Sequence, residues 1–355
     1  MSPPDTTPAP RRRRKLRRNL LFGAIVTIVV LYLLEVGLRL AGVQPAYQAD
    51  AVGGWRMLPR VTNSTMRGHE GTSFTLTTND DGLRTTLRKA RTPGVKRVAL
   101  LGDSTTFGWG VNNGETLADG LQAGLDAAGE RVEVMNAGQP GYSTTQMVAL
   151  YDRAVHLYQP DVMIVFVPMH DNNQVLVSDR EYLNGASGPL AGIRVLLAEN
   201  SRIYQVLRQR VYPLSHEASL VPGRDKSAEL RVPRVSDRER DNNFDHLRES
   251  LSETGGIVAI GHLPFLADLL GEANEVRFSE PWGAAYSART GAPIVDLRAC
   301  CAGQGGEALV LPLDPGHLNA AGNRLVGAAA VPPVRELLAQ FSAAGSTDAT
   351  AESNR

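Results

Sequence analysis

Val98–Ala99–Leu100–Leu101–Gly102–Asp103–Ser104–Thr105–Thr106 sets the architecture of this chain. Four apolar residues in a row, with no polar alternate, describe a short strand covered on both faces, as in a parallel sheet. The glycine and polar run behind it mark a strand-to-helix junction. The same rhythm continues outward. Leu117, Leu121 and Leu125 recur every four residues and predict a helix with one apolar face. Val132–Val134–Met135 predicts a second strand. Met147, Leu150, Tyr151 and Ala154 predict the next amphipathic helix, with Ser143 or Thr144 available as its cap. Val162 to Val167 is the clearest buried strand, followed by a fourth at Ile257–Val258–Ala259–Ile260 and a fifth at Ile294–Val295. Asn319 is placed to cap a final helix from Ala320, which Pro332 and Pro333 interrupt before a second piece runs to about Phe341. Strands and helices alternating in this way predict an α/β fold around a central parallel sheet.

The chain has 355 residues, of which 43% are hydrophobic, and formally balances 37 Lys and Arg against 37 Asp and Glu. The balance joins two unlike regions. Seven of the eight residues from Arg11 to Arg18 are basic; without them, 30 basic groups face 37 acidic ones. A duplex-binding protein needs a distributed basic footprint, so nucleic acid is excluded as the expected partner. The two cysteines, Cys300 and Cys301, are adjacent. They cannot staple a long loop and make poor metal-ligand geometry by themselves; free thiols or a strained vicinal disulfide are the readings, neither with a catalytic task.

The basic cluster leads directly into Leu20–Leu34, LLFGAIVTIVVLYLL, fifteen residues without charge. A bilayer needs roughly 20. Extension to Val43 supplies the length, provided Glu35 and Arg39 lie at the far interface or pair one helical turn apart. The basic flank is expected to stay in the cytoplasm, which places the C-terminal body in the periplasm or at the cell surface. No small-x-small cleavage site follows, favouring a retained signal anchor over a cleaved signal peptide. Arg17–Arg18–Asn19–Leu20–Leu21 also resembles a twin-arginine export motif.

The expected organisation is a disordered basic N-terminus at 1–19, a transmembrane anchor at 20–43, and an extension at 44–95 packed on the main domain. The main domain spans 96–341, with an exposed excursion at 215–240 dense in charge, Ser and Pro, and a disordered tail occupies 342–355. Within the extension, Ser73 to Thr78 alternates like a short strand before an Asn79–Asp80–Asp81–Gly82 turn. A helix is expected around Ile203, Val206 and Leu207.

Ligands of open parallel sheets bind beyond the carboxyl ends of the strands. There the sequence delivers four polar clusters: Gly102–Asp103–Ser104, Asn136–Ala137–Gly138–Gln139–Pro140–Gly141, His170–Asp171–Asn172–Asn173, and Asp314–Pro315–Gly316–His317 before the last helix. A serine hydroxyl becomes a competent nucleophile when an adjacent base takes its proton. Ser104 stands where a helix N-terminus favours developing negative charge. Asp314, three residues before His317 across a Pro–Gly pair, is expected to fold to the same side of a tight turn. It would fix the imidazole tautomer and leave the other nitrogen for Ser104. Oxyanion donors are expected from the Ser104 amide, the Gly141 amide exposed by the turn after Pro140, and a side chain of the third cluster. His262 and Trp109 are second-rank candidates for the pocket wall, with packing as the plainer explanation, and His156 is expected to face solvent.

The first, second and fourth clusters resemble the blocks of the SGNH/GDSL hydrolases, a family of esterases, lipases and carbohydrate deacetylases, over about Val98 to Leu338. The resemblance implies a flavodoxin-like three-layer α/β/α sandwich, Ser104 as nucleophile, Asp314 and His317 as its partners, and Gly141 as backbone oxyanion donor. Thr105 stands where the eponymous pattern has Leu. In the third block the family has Gly–x–Asn–Asp, with the Asn as oxyanion donor, whereas this chain has Pro168–Met169–His170–Asp171. His170 takes the Asn position and an imidazole can donate; Asn172 is the alternative, and Asp171 is expected to order the loop.

The expectation is a serine esterase, without cofactor or metal, acting on an ester-bearing small molecule or an envelope glycan, with a short acyl group such as acetyl. An O-acyltransferase using the same acyl-enzyme stays open, as does a binding protein on a degenerate scaffold. A metal hydrolase built on His170, Asp171, Asp314 and His317 is disfavoured because Asp314 already has a use in orienting His317.

Overall fold

The computed structural model describes residues 10–41, 47–50, 54–67, 72–175, 177–185, isolated positions between 193 and 200, 201–207, 231–264, 279–301 and 304–352. Helix α1 (Pro10–Leu40) precedes two small antiparallel ladders, β1 (Tyr47–Asp50) with β2 (Gly54–Met57) and β3 (Ser64–Arg67) with β4 (Ser73–Leu76). The main domain begins with β5 (Lys96–Gly102), α2 (Ser104–Phe107), α3 (Leu117–Ala127), β6 (Val132–Gly138), α4 (Thr144–Arg153) and β7 (Val162–Phe166). It continues through β8 (Gln174–Val175), α5 (Asp179–Gly185), β9 (Val232–Pro233), α6 (Asp237–Ser252), β10 (Ile257–His262), α7 (Ser279–Thr290) and β11 (Ile294–Asp296). The chain closes with β12 (Val310–Leu311), β13 (Asp314–Leu318), α8 (Ala320–Ala329) and α9 (Val331–Glu352).

Five strands form one parallel sheet in the order β11–β10–β7–β5–β6. The chain starts in the middle at β5, adds β6 on one side, then crosses back to build β7, β10 and β11 on the other. That is the flavodoxin-like order, and its switch point lies at the carboxyl ends of β5 and β7. The strands are short apolar runs because both faces are covered. In β5, Val98 and Leu100 enter a core with Leu121 and Leu125 of α3, Val326 of α8 and Leu337 of α9. Ala99 and Leu101 enter the opposite core with Met147 and Leu150 of α4, Phe244 and Leu247 of α6, and Tyr286 of α7. This is the three-layer sandwich. Each of the Val, Leu, Met and Phe side chains among them, fully withdrawn from water, contributes roughly 1.5–3 kcal/mol.

Local signals set the helix starts. Thr116 and Asp119 form a capping box at α3, and Ser143 and Gln146 form another at α4. Asn319 caps α8 by accepting from the Ala321 and Gly322 amides. The helix breaks at Ala330 before Pro332, as expected.

A third cluster joins the extension to the main domain: Met57, Phe74 and Leu76 pack against Phe107 and Trp109. Arg84 locks this seam. Its buried guanidinium donates to the carbonyls of Thr75, Phe107, Gly108 and Val111 at 2.6–3.2 Å, and it lies 5.1 Å from the Phe107 ring centroid. Burial lowers its pKa to about 10, against the pull of Asp119 and Glu115.

Lys15–Leu40 is a helix long and apolar enough to cross a membrane, and its apolar window is not buried. Glu35 and Arg39 pair one turn apart at 2.8 Å, one of the two arrangements expected for them. The same carboxylate accepts from the amides of Arg202 and Ile203, at the start of the helical stretch 202–207.

Two expectations change. Residues 215–230 of the excursion lie outside the described residues, but 231–240 are partly packed, with Arg234, Val235, Glu239 and Arg240 buried. Val232–Pro233 pairs with Gln174–Val175, and Arg234 and Arg240 are buried. Their charge is met by Asp179 and Asp171, which a count of charged residues cannot reveal. The C-terminal tail was expected to be disordered, yet α9 runs through Phe341 to Glu352. Residues 1–9 lie outside the described residues, whereas 10–19, which carry the basic cluster, are helical.

Candidate active site

Ser104 opens the four-residue helix α2 at the tip of β5. The Asp103 side chain caps that helix by accepting from the Thr105 amide at 3.0 Å. Gly108 closes it in the left-handed region, φ +79°, with its amide bonded to the Ser104 and Thr105 carbonyls. The glycines flanking this turn are steric requirements. A Cβ on Gly102 would lie 2.0 Å from Thr106 Oγ1, and one on Gly138 would lie 2.3 Å from the Phe107 nitrogen. Gly102 and Gly138 are register partners, so the tips of β5 and β6 together seat α2.

His317 comes from 213 positions away and meets Ser104 directly, Nε2 to Oγ 2.7 Å. Its Nδ1 lies 2.9 Å from Asp314 Oδ2. The carboxylate selects the Nδ1–H tautomer, leaving Nε2 to accept from the serine hydroxyl. Both side chains are about five-sixths buried, at 16% and 15% exposure, so the pair acts in a medium that screens it less than bulk water. The expected tight turn at Asp314–His317 is instead β13, paired with β12 in a short hairpin whose register shifts at Val310–Leu311. Asn319 fastens the hairpin from behind, donating to the Ala308 and Val310 carbonyls at 2.7 and 3.0 Å.

Gly141 follows Pro140 in a turn closed by the Tyr142 amide on the Gln139 carbonyl at 3.2 Å. Its φ of +74° is a conformation that favours glycine. Neither the Ser104 nor the Gly141 amide has an acceptor among the described residues.

His170 lies in a 3-10 turn after β7, 38% exposed, with Nε2 3.7 Å from Asp103 Oδ2. It therefore borders the turn that carries Ser104, whereas Asn172 is exposed. Asp171 does order the loop. It is wholly buried and accepts from the Thr144 amide (2.9 Å), the Thr144 hydroxyl (2.7 Å) and Arg240 Nε (3.0 Å). Burial pushes its carboxyl up, and Arg240 and the Thr144 donors oppose that shift. Among the described residues no group of His, Cys, Asp and Glu is arranged to hold a metal ion, so His170, Asp171, Asp314 and His317 do not converge as ligands.

The second-rank residues resolve toward packing. Trp109 is 5% exposed and stacks on Tyr47 with centroids 6.3 Å apart. His262 is buried at the end of β10, against Gly283. His156 is exposed, as expected. Cys300 and Cys301 are free thiols, their sulfurs 3.2 Å apart. Arg240 and Trp55, which supports the Gly141 turn, are the residues that motif spacing does not single out; each acts on a partner more than sixty positions distant.

The chain is similar to a lipase/acylhydrolase from Enterococcus faecalis (18% identity, covering 68% of this chain and 96% of that one, TM-score 0.41). It is also similar to a carbohydrate acetylesterase family member from Sinorhizobium meliloti (16%, 69% and 100%, TM-score 0.39) and to a psychrotrophic esterase from Pseudoalteromonas sp. (14%, 68% and 98%, TM-score 0.42). No curated protein sequence matches it. A family model, GDSL-like lipase/acylhydrolase, matches residues 100–325, which run from the tip of β5 to within α8 and include all four polar clusters. On that match the chain belongs to the GDSL-like lipase/acylhydrolase family and is a serine hydrolase of ester bonds.

Proposed function

We propose that Ser104, His317 and Asp314 form the catalytic triad of an esterase that removes short acyl groups, acetyl foremost, from an envelope glycan. The observation that carries this reading is the unbroken chain of contacts from Asp314 Oδ2 through the imidazole to Ser104 Oγ. Ser104 Oγ attacks the acyl carbonyl carbon as His317 Nε2 takes its proton, and the carbonyl π pair moves onto oxygen. The resulting oxyanion accepts from the Ser104 and Gly141 amides and from His170. When the pair returns, the ester C–O bond breaks, and the departing alkoxide takes the proton from His317. Water repeats the sequence on the acyl-enzyme, its proton passing to His317 and then to the Ser104 oxygen. Asp314 holds the imidazole in register and stabilises its protonated form throughout.

The substrate class rests on placement. With α1 as a retained anchor and its basic flank in the cytoplasm, the site faces the envelope, where polymeric esters are exposed. The test is acetate release from an O-acetylated polysaccharide, too large to cross the membrane, added to intact cells bearing the protein or its Ser104→Ala form. Release by intact cells only with Ser104 present is expected. Release only after the cytoplasmic membrane itself is breached, and not after permeabilising any outer membrane, would invert the topology. Acetyl appearing on an added sugar acceptor in place of free acetate would make the protein a transferase.

His170 is assigned to the oxyanion because it borders the nucleophile turn. His170→Ala is expected to lower kcat by roughly a hundredfold, the usual loss for one such donor, while Ser104 still reacts with an organophosphonate. Unchanged kcat would move the third donor elsewhere, Asn172 first.

A further inference from the structure

We propose that Trp55, from the extension that precedes the family-matched segment, is a positioning residue that sets the direction of the Gly141 oxyanion donor. This rests on the assignment of Gly141 above.

The turn Gln139–Pro140–Gly141–Tyr142 has proline at its second position, glycine at φ +74° at its third, and a closing bond from the Tyr142 amide to the Gln139 carbonyl. This is the pattern of a type II turn. Types I and II differ chiefly by rotation of the central peptide, here Pro140–Gly141, through about half a revolution. Proline suits the second position of both, and glycine has access to both values of φ at the third. The local sequence therefore leans toward the type II direction of the Gly141 N–H but keeps the flipped state accessible. In one state it faces a given side, in the other it faces away.

Trp55 selects the state. Its indole Nε1 donates to the Pro140 carbonyl at 3.0 Å. That carbonyl belongs to the same planar trans peptide as the Gly141 N–H, and the two point in opposite directions. Holding the oxygen at the indole holds the N–H on the other side, where it has no acceptor among the described residues. A flip would break the indole bond. The hydrogen bond on the carbonyl also polarises the peptide and strengthens its N–H as a donor.

Trp55 is itself braced by the turn it supports. The Tyr142 hydroxyl donates to the Trp55 carbonyl. The two rings meet edge to face at 5.6 Å and 83°, and Arg234 lies 5.8 Å from the indole centroid. Trp55 Cζ2 would stand 3.5 Å from a Cβ on Gly141. Two residues along β2, the Met57 amide donates to Gln139 Oε1 at 3.0 Å, and Gln139 Nε2 donates to the Gly82 carbonyl at 3.1 Å. The extension thus grips the turn at the side chain of its first residue and at its central peptide.

The test is Trp55→Phe in the full-length, detergent-solubilised protein, assayed on p-nitrophenyl acetate beside wild type and Ser104→Ala. Phenylalanine keeps an aromatic ring and removes the N–H. A mobile oxyanion donor weakens the transition state and not ground-state binding, so kcat should fall about tenfold at unchanged KM, a fraction of the full loss of one donor. The melting temperature should stay close to that of wild type. A general loosening of the fold would instead raise KM or lower the melting temperature along with kcat. If Trp55→Phe fails to fold, benzothienylalanine at position 55, with sulfur in place of the N–H on an isosteric ring, carries the same expectation. Wild-type kcat in either folded variant, with Ser104→Ala inactive, overturns the role of Trp55 and leaves the triad standing. Activity retained by Ser104→Ala overturns the triad instead.

Discussion

Ser104→Ala protein is expected to fold as the parent does and to lose on the order of a million-fold in kcat, the scale set by removing the nucleophile from a triad. The folding half of this expectation follows from packing. The Ser104 hydroxyl contacts His317, but its backbone carbonyl, which Gly108 and Trp109 hold, is untouched by the change. Alanine also suits the first turn of a helix whose cap is Asp103. The kinetic half follows from chemistry, since no other hydroxyl is placed on His317 Nε2 among the described residues. His317→Ala should cost a similar amount, and the double variant little more than either, because the residues act as one unit. Steady-state rates on a short-chain ester check both points. Additive losses would mean that serine and imidazole work separately.

Arg240→Met is expected to destabilise the fold by about 3–5 kcal/mol, the cost of leaving a buried charge without its partner. Arg240 has no solvent exposure, and the pair it forms with Asp171 at 3.0 Å lies wholly inside the protein. Its remaining donors reach Asp237 at 2.6 Å and the Val235 carbonyl at 3.3 Å, with the Trp282 ring centroid 5.2 Å away. Asp171 in turn fixes the first residue of α4 through Thr144, and it sits beside His170. Loss of Arg240 therefore frees the loop that carries His170 as well as the α4–α6 seam. Urea unfolding should show a lower midpoint with an unchanged m value. Arg240→Met combined with Asp171→Leu should recover part of the loss, because removing both charges spares the orphaned carboxylate. An unaltered midpoint in the single variant would mean that the pair contributes nothing to the fold.

The sheet was legible because β5, β7 and β10 are covered on both faces, which leaves unbroken apolar runs such as Val98–Leu101 and Val162–Phe166. The polar clusters were legible because a parallel sheet sends every strand end to one edge, so order along the chain became proximity in space. Their local shapes were less so. Asp314–Pro315–Gly316–His317 reads as a turn by its residues, yet the hairpin with Val310–Leu311 draws it into a strand, a tertiary pairing that overrides local preference. Arg234 and Arg240 sit in a run so charged that it reads as solvated, and only the distant carboxylates Asp179 and Asp171 make their burial sustainable. Trp55 was illegible for a related reason. Its one decisive bond is to a carbonyl 85 positions away, in a turn whose sequence permits two states.

The most direct measurement is to treat the folded protein with a fluorophosphonate, digest it, and locate the adduct by mass spectrometry. A single covalent phosphonyl group on Ser104, formed far more slowly once His317 is replaced by Ala, is the predicted result. A modified residue elsewhere, or a folded protein that takes up no label, would separate the hydroxyl from the imidazole in function and contradict the triad.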